Sequence, residues 1–258
     1  MRSKAWHDLT RRVWPFDRHP DVADAFDRAA ARLEAERSCD LLRFFAWLAP
    51  RYARWTDDVP GSERYHHARP FGLLIHSAEA VERAVAVGIA TSPGLPTEWV
   101  QATIAFALFH DCGRLLDIHA SGPDGRVWDP FETSLLDFCR DAKVTWRWKP
   151  GRGLDRHEYI SHDLFPSFLP QQAFDPLLPL LKDAWYGYVS RDWAGPDSVG
   201  SYAWCAAGIV AWADQRSAED DRFARKWAAR SSPTARVDAP VYYYQPKPPG
   251  SSRSPETR

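Results

Sequence analysis

The stretch Thr103-Ile-Ala-Phe-Ala-Leu-Phe-His-Asp-Cys-Gly-Arg114 decides how the chain reads. Its first seven residues are uncharged, lack proline and glycine, and continue a helical pattern from Thr97 to Phe109. Thr97 is the expected N-cap, and Glu98 stands in the first turn, where a negative charge suits the helix dipole. The helix runs into His110-Asp111. Adjacent residues on a helix point about 100° apart, so this pair grips a shared partner only at its rim. Further ligands must arrive from other helices.

Two other apolar runs deliver polar residues in the same way. His76 follows Gly72-Leu-Leu-Ile75, and Asp214 follows the run from Ala206 to Ala213. Both are expected to face inward. A buried carboxylate is costly unless it is paired or bound to a metal. A lone buried histidine is ordinarily a hydrogen-bonded core residue, and a His-Asp dipeptide arises readily by chance. Three inward polar positions on three apolar helices are more simply explained by one shared metal site.

The remaining pattern is helical throughout. Helices are expected over Asp21–Glu36, Leu41–Trp55, Phe71–Val87, Phe131–Ala142, Asp155–Phe168, Asp175–Val189 and Ser198–Ala229, with a kink or end at Pro166. Pro60-Gly61 breaks the chain, Ser121–Pro130 is a loop rich in Gly and Asp, and Trp146–Gly153 (WRWKPGRG) is read as a loop. No strand pattern or internal repeat stands out. The expected fold is all-α. Residues 1–60 would be a helical part packed on a 61–230 core. Residues 231–258 would be a largely disordered tail rich in Pro and Ser, with Val241–Tyr244 as a short strand or docking segment.

Composition supports a folded domain. The 258 residues are 45% hydrophobic and 14% aromatic, with 13 Trp. The 33 basic and 34 acidic residues give a formal net charge of −1, so no overall charge draws the chain to nucleic acid or to an anionic membrane, although a local basic patch stays open. The four cysteines are scattered, without a CxxC pair, and read as reduced and mostly buried. Neither a secretion signal nor a membrane span is visible, making a cytoplasmic location the default.

The order H…HD…D, with HDCGR at 110–114, resembles the HD superfamily of metal-dependent phosphohydrolases. A narrower resemblance is to the HD region of MobH-class conjugative relaxases, also described as TraI-2-type domains. It rests on YHHARPFGLLIHSAEAVERAV (65–85), ALFHDCGRLLD (107–117), VWDPF (127–131), RHEYISHDLF (156–165) and AWADQRSAEDD (211–221). The resemblance implies an all-helical, HD-like bundle. It implies that His76, His110, Asp111 and Asp214 hold one divalent ion, with Asp111 able to bridge to a second. Many HD proteins add two histidines between the HD pair and the last Asp, and His157 and His162 lie in that interval. Five residues apart on a regular helix, they point about 140° from each other, so both ligate only if the helix is irregular. His157 is the preferred ligand. His162 is a ligand or a surface histidine. His119, in a polar stretch, is set aside. His66 and His67 belong to the first motif of the resemblance. They have a metal, supporting or phosphate-binding role, with His67 preferred, or they simply cap the entry to the next helix.

Imidazole and oxygen donors suit one or two ions of Mn, Fe, Mg, Ni, Co or Zn. Such an ion activates water and neutralises phosphate charge, so hydrolysis of a phosphomonoester or phosphodiester is the expected chemistry, with Asp111 and Arg114 at its centre. Arg114 replaces the usual Lys and can fork onto a phosphate. Arg147, Lys149 and Arg156, interleaved with Trp146 and Trp148, are candidates for binding the substrate, either single-stranded DNA or a nucleotide. The same tryptophans could instead cover the core. Two further functions stay open. Ligation by both His157 and His162 would favour a mixed-valent diiron oxygenase, and the intact set His76, His110, Asp111 and Asp214 argues against a non-catalytic nucleotide or nucleic-acid binding module.

Overall fold

In a computed structural model, α5 (Thr97–Phe109) is the axis around which the rest is laid. Its residues from Ala102 to Phe109 are all buried, as a helix apolar on every side requires. The structure describes residues 4–10, 19–36, 39–56, 59–63, 66–89, 94–138, 144–149, 156–169, 175–190 and 202–231, without the side chains of 4, 88–89, 136, 145, 156, 158 and 227–231. The expected tail and the Val241–Tyr244 segment lie outside these residues, as does Cys139.

Before α5 come α1 (Lys4–Thr10), α2 (Pro20–Ala35), α3 (Cys39–Thr56) and α4 (Gly72–Arg83), the last continuing into a π-helical turn, Ala84–Ile89. After it come a 3-10 turn (Cys112–Asp117), β1 (Ile118–Ser121), α6 (Leu135–Phe138), β2 (Thr145–Trp148), α7 (Arg156–Leu164), a second 3-10 turn (Phe165–Phe168), α8 (Leu178–Ser190) and α9 (Tyr202–Ser231). α9 lies against α4, α5 and α8, while α2 covers the other side of α4. One apolar cluster runs from Trp6 in α1 to Ala213 in α9. Among the described residues, no helix is long and apolar enough to cross a membrane.

The helical class is as expected, with local differences. Pro96, not Thr97, occupies the N-cap of α5, and no side chain caps it. α6 starts only after Ser134, whose Oγ accepts from the Asp137 N–H at 3.0 Å and so caps a later start than Phe131. Pro166 does not extend α7 but begins a 3-10 turn. The stretch read as a loop at Trp146 is partly a strand: β2 pairs antiparallel with β1, placing Trp146 opposite Ala120 and Arg147 opposite His119. The Trp-Arg-Trp-Lys alternation is a strand period that helical bias concealed. Of the described cysteines, only Cys112 is buried; Cys39 and Cys205 are exposed.

Candidate metal centre

α5 ends where its apolar face meets α4 and α9, and there four polar groups converge. His76 Nε2 lies 3.3 Å from His110 Nε2, 3.1 Å from Asp214 Oδ1 and 3.6 Å from Asp111 Oδ2. His110 Nε2 is 3.6 Å from the same Asp214 oxygen. Both rings are fully buried and Asp111 is 2% exposed, so water screens little of their charge. His110 Nδ1 donates to the Ala107 carbonyl at 2.9 Å, which turns Nε2 towards the carboxylates.

The same four groups perturb one another's ionisation strongly. Burial opposes charge on His110, but Asp111, followed by Asp214, outweighs it and holds the pKa at about 9. On His76 burial prevails and the pKa is lowered. Burial also opposes charge on Asp111, yet Arg114, His157 and His110 keep its carboxyl well below the usual range. The same contest on Asp214, won by its hydrogen bonds with His110 and His76, keeps that carboxylate ionised. The charges of the two carboxylates are thus met by the Arg114 guanidinium and by the raised pKa of His110. A divalent ion would supply that balance directly and release the proton. The donor set of two imidazoles and two carboxylates fits such an ion.

Each helix positions its group through a specific contact. Tyr188 on α8 donates its hydroxyl to Asp214 Oδ2 at 3.1 Å, leaving Oδ1 for the histidines. Tyr188 is itself held edge-on against Phe106 of α5, with ring centroids 5.3 Å apart. Arg114 Nε donates to Asp111 Oδ2 at 2.6 Å. The other oxygen, Oδ1, faces His157 Nε2 at 3.2 Å. His157 reaches it because α7 lies directly on the HD turn. The Gly113 N–H donates to Ser161 Oγ at 2.8 Å, and a Cβ at Gly113 would stand 2.1 Å from the His157 carbonyl oxygen.

His162 is not brought to this centre. α7 is regular from Arg156 to Leu164, so His162 faces another way, with Nδ1 2.9 Å from Asp163 Oδ1 and its ring edge-on to Trp185.

His66 and His67 are brought close. Their ring centroids lie 5.2 and 5.0 Å from that of His76. The α4 N-cap is Phe71, without a side-chain cap bond, so neither histidine caps that helix. His67 adopts a positive φ of 50°, its carbonyl accepts from the Gly61 N–H at 2.9 Å, and its own N–H donates to Asp221 Oδ2 at 2.8 Å. Burial, then the neighbouring His76, lowers the His66 pKa to about 3. His67 Nε2 lies 3.3 Å from Glu79 Oε2. Two triads in the described residues have donor atoms mutually within 4.8 Å, His66-His67-His76 and His76-His110-Asp111, and His76 belongs to both.

Of the expected substrate-binding residues, Arg147 and Lys149 are exposed on and just after β2, and none of the described hydrogen bonds or ion pairs ties them to the centre. Arg156 begins α7, but its side chain lies outside the described residues, as do residues 150–155. Gly113, Ser161, Tyr188, Glu79 and Ser217 were not singled out from sequence. A helical-spacing signal existed for two of them: Glu79 stands three residues after His76, and Ser217 three after Asp214, each on its ligand's face.

Comparison with curated proteins and with solved structures finds no match in either. A family model, TraI_2, described as "putative helicase", matches residues 23–242. That span takes in α2 to α9 and every group of the centre, and on it this chain belongs to the TraI_2 family.

Proposed function

We propose that the chain is an HD-type metal-dependent phosphohydrolase that cleaves phosphodiesters, with nucleic acid, single-stranded DNA in particular, as its substrate class. The observation that carries this reading is the convergence of His76 Nε2, His110 Nε2 and Asp111, all buried, with the partly exposed Asp214 Oδ1. These four would hold the first divalent ion. Asp111 Oδ1 and His157 would contribute to a second. A bound divalent ion lowers the pKa of water and stabilises negative charge on phosphate oxygens. Arg114 holds Asp111 ionised and oriented through Nε, and its charge favours an anionic substrate beside the carboxylate. Tyr188 fixes the Asp214 carboxylate. His66, held neutral, and His67 stand beside His76 as candidate phosphate contacts or further ligands.

The family description supports nucleic acid as the substrate class. The sequence has no Gly-Lys pair and therefore no P-loop of the G-x-x-x-x-G-K form. Within this chain the HD centre is the group suited to phosphoester chemistry. The orientation of His162 towards Asp163 favours hydrolysis over the diiron oxygenase reading, which ligation by both His157 and His162 would have supported.

The test joins metal content to turnover. Purified chain should hold one or two transition-metal ions and hydrolyse bis-p-nitrophenyl phosphate. Asp111→Ala should lose both while keeping its helical circular dichroism. A metal-free chain that also ignores added Mn²⁺, or an Asp111→Ala variant as active as wild type, overturns the proposal.

A further inference from the structure

We infer that Glu79 is a positioning residue that acts through Ser217 to set the tautomer of His76, so that His76 presents a lone pair at Nε2. The inference rests on the reading of His76 as a metal ligand. Ser217 Oγ donates its only hydrogen to Glu79 Oε2 at 2.8 Å. Its oxygen also lies 3.0 Å from His76 Nδ1. With its hydrogen committed, Ser217 can only accept there, so Nδ1 carries the ring proton. In that tautomer Nε2, the atom that faces His110, Asp111 and Asp214, carries the lone pair a bound ion would take; without an ion, Asp214 Oδ1 at 3.1 Å competes for a proton on Nε2.

The direction of the relay is set by geometry: Glu79 accepts from Ser217 while two arginines stand at its carboxylate. Glu79 is only 16% exposed, yet Arg83 and Arg28 each approach it at 3.4 Å. The His67 ring stands at 3.3 Å from the same Oε2 that takes the Ser217 hydrogen. Burial would raise the Glu79 pKa, but His67 and Arg83 outweigh it and hold it at about 2. α4 and α9 are both needed: His76 and Glu79 are one turn apart on α4, and Ser217 crosses from α9, one turn after Asp214. The same helical turn of α9 therefore supplies a ligand and orients its neighbour. Outer hydrogen-bonding partners of this kind are worth about 10–100-fold in metal affinity.

The experiment titrates metal-free full-length chain with Co²⁺, followed by its d–d absorption, in wild type, Ser217→Ala, Glu79→Gln and His76→Ala, with circular dichroism as the check on folding. Expected are near-complete loss in His76→Ala and a loss of about 10–100-fold in Ser217→Ala, a variant that leaves the Glu79–arginine pairs untouched. Wild-type affinity in Ser217→Ala and Glu79→Gln, with loss confined to His76→Ala, overturns the relay and leaves the metal centre standing. Wild-type affinity in His76→Ala overturns the centre and the relay together. Long-range ¹H–¹⁵N spectra of the metal-free wild type decide the matter even if a variant fails to fold. A proton on His76 Nδ1 supports the relay, and a proton on Nε2 overturns it.

Discussion

Replacing Gly113 with alanine puts a methyl group where α7 meets the HD turn. The new Cβ would stand 2.1 Å from the His157 carbonyl oxygen, 2.8 Å from the Ser161 nitrogen and 2.9 Å from Ser161 Oγ. Non-bonded heavy atoms settle at about 3.5 Å, so the helix backbone must retreat by about 1 Å or more. Two of the three atoms are backbone, which cannot rotate away. Two effects of opposite sign compete. Exchanging glycine for alanine stabilises a chain by about 0.4–1 kcal/mol through the unfolded state when the native backbone accepts it. Forcing a methyl into a packed interface costs about 1–3 kcal/mol. The clash should win, and a chain of this size should melt a few degrees lower, at about 2–4 °C per kcal/mol.

The local consequence is sharper than the global one. His157 Nε2 is 3.2 Å from Asp111 Oδ1, near the outer limit of a hydrogen bond, and moves with α7. Gly113→Ala should therefore remove the contribution of His157 while leaving the His76-His110-Asp214 cluster on α4, α5 and α9 in place. The assay pairs thermal unfolding with metal stoichiometry by mass spectrometry or elemental analysis. A variant that melts higher than wild type and retains wild-type stoichiometry and phosphodiesterase rate would refute the view that this glycine exists to let α7 touch the turn.

Without metal, the raised pKa of His110 makes stability depend on pH. Its contribution is fully present below the unfolded value of about 6.5 and is lost as pH rises through about 9, a difference of up to about 3 kcal/mol that urea denaturation in chelator at the two pH values should register. Because His110 must shed that proton to ligate, Zn²⁺ affinity should rise over the same window, and an affinity independent of pH would contradict it. Tyr188→Phe removes the donor to Asp214 Oδ2 and should cost about 1.5–3 kcal/mol in chemical denaturation; an unchanged midpoint would show that the hydroxyl does not hold the carboxylate. Arg147→Ala with Lys149→Ala should weaken binding to single-stranded DNA and flatten its salt dependence, by about 0.7 in log-log slope for each phosphate no longer neutralised. An unchanged slope would assign these two exposed residues to solvent.

What the sequence disclosed follows the range of its signals. Apolar periodicity is local, so α5 was legible residue for residue, and the inward sense of His76 and Asp214 followed from the runs before them. That His157 and His162 point apart was legible too, because residues five apart on a regular helix lie about 140° from each other, and α7 is regular. The β1–β2 ladder was not read, since each strand has only four residues and its partner lies across α6. The supporting groups were hidden for a different reason. Ser217 looks like any polar residue in an acidic stretch, and Gly113 like a helix terminator, until α4 and α7 are laid beside them. Only then does Ser217 meet His76 and Gly113 meet the His157 carbonyl. The candidate ligands are announced by apolar sequence around them, because burying a charge demands it. The groups that aim the ligands need only a neighbour from another helix, and that neighbour is a property of packing.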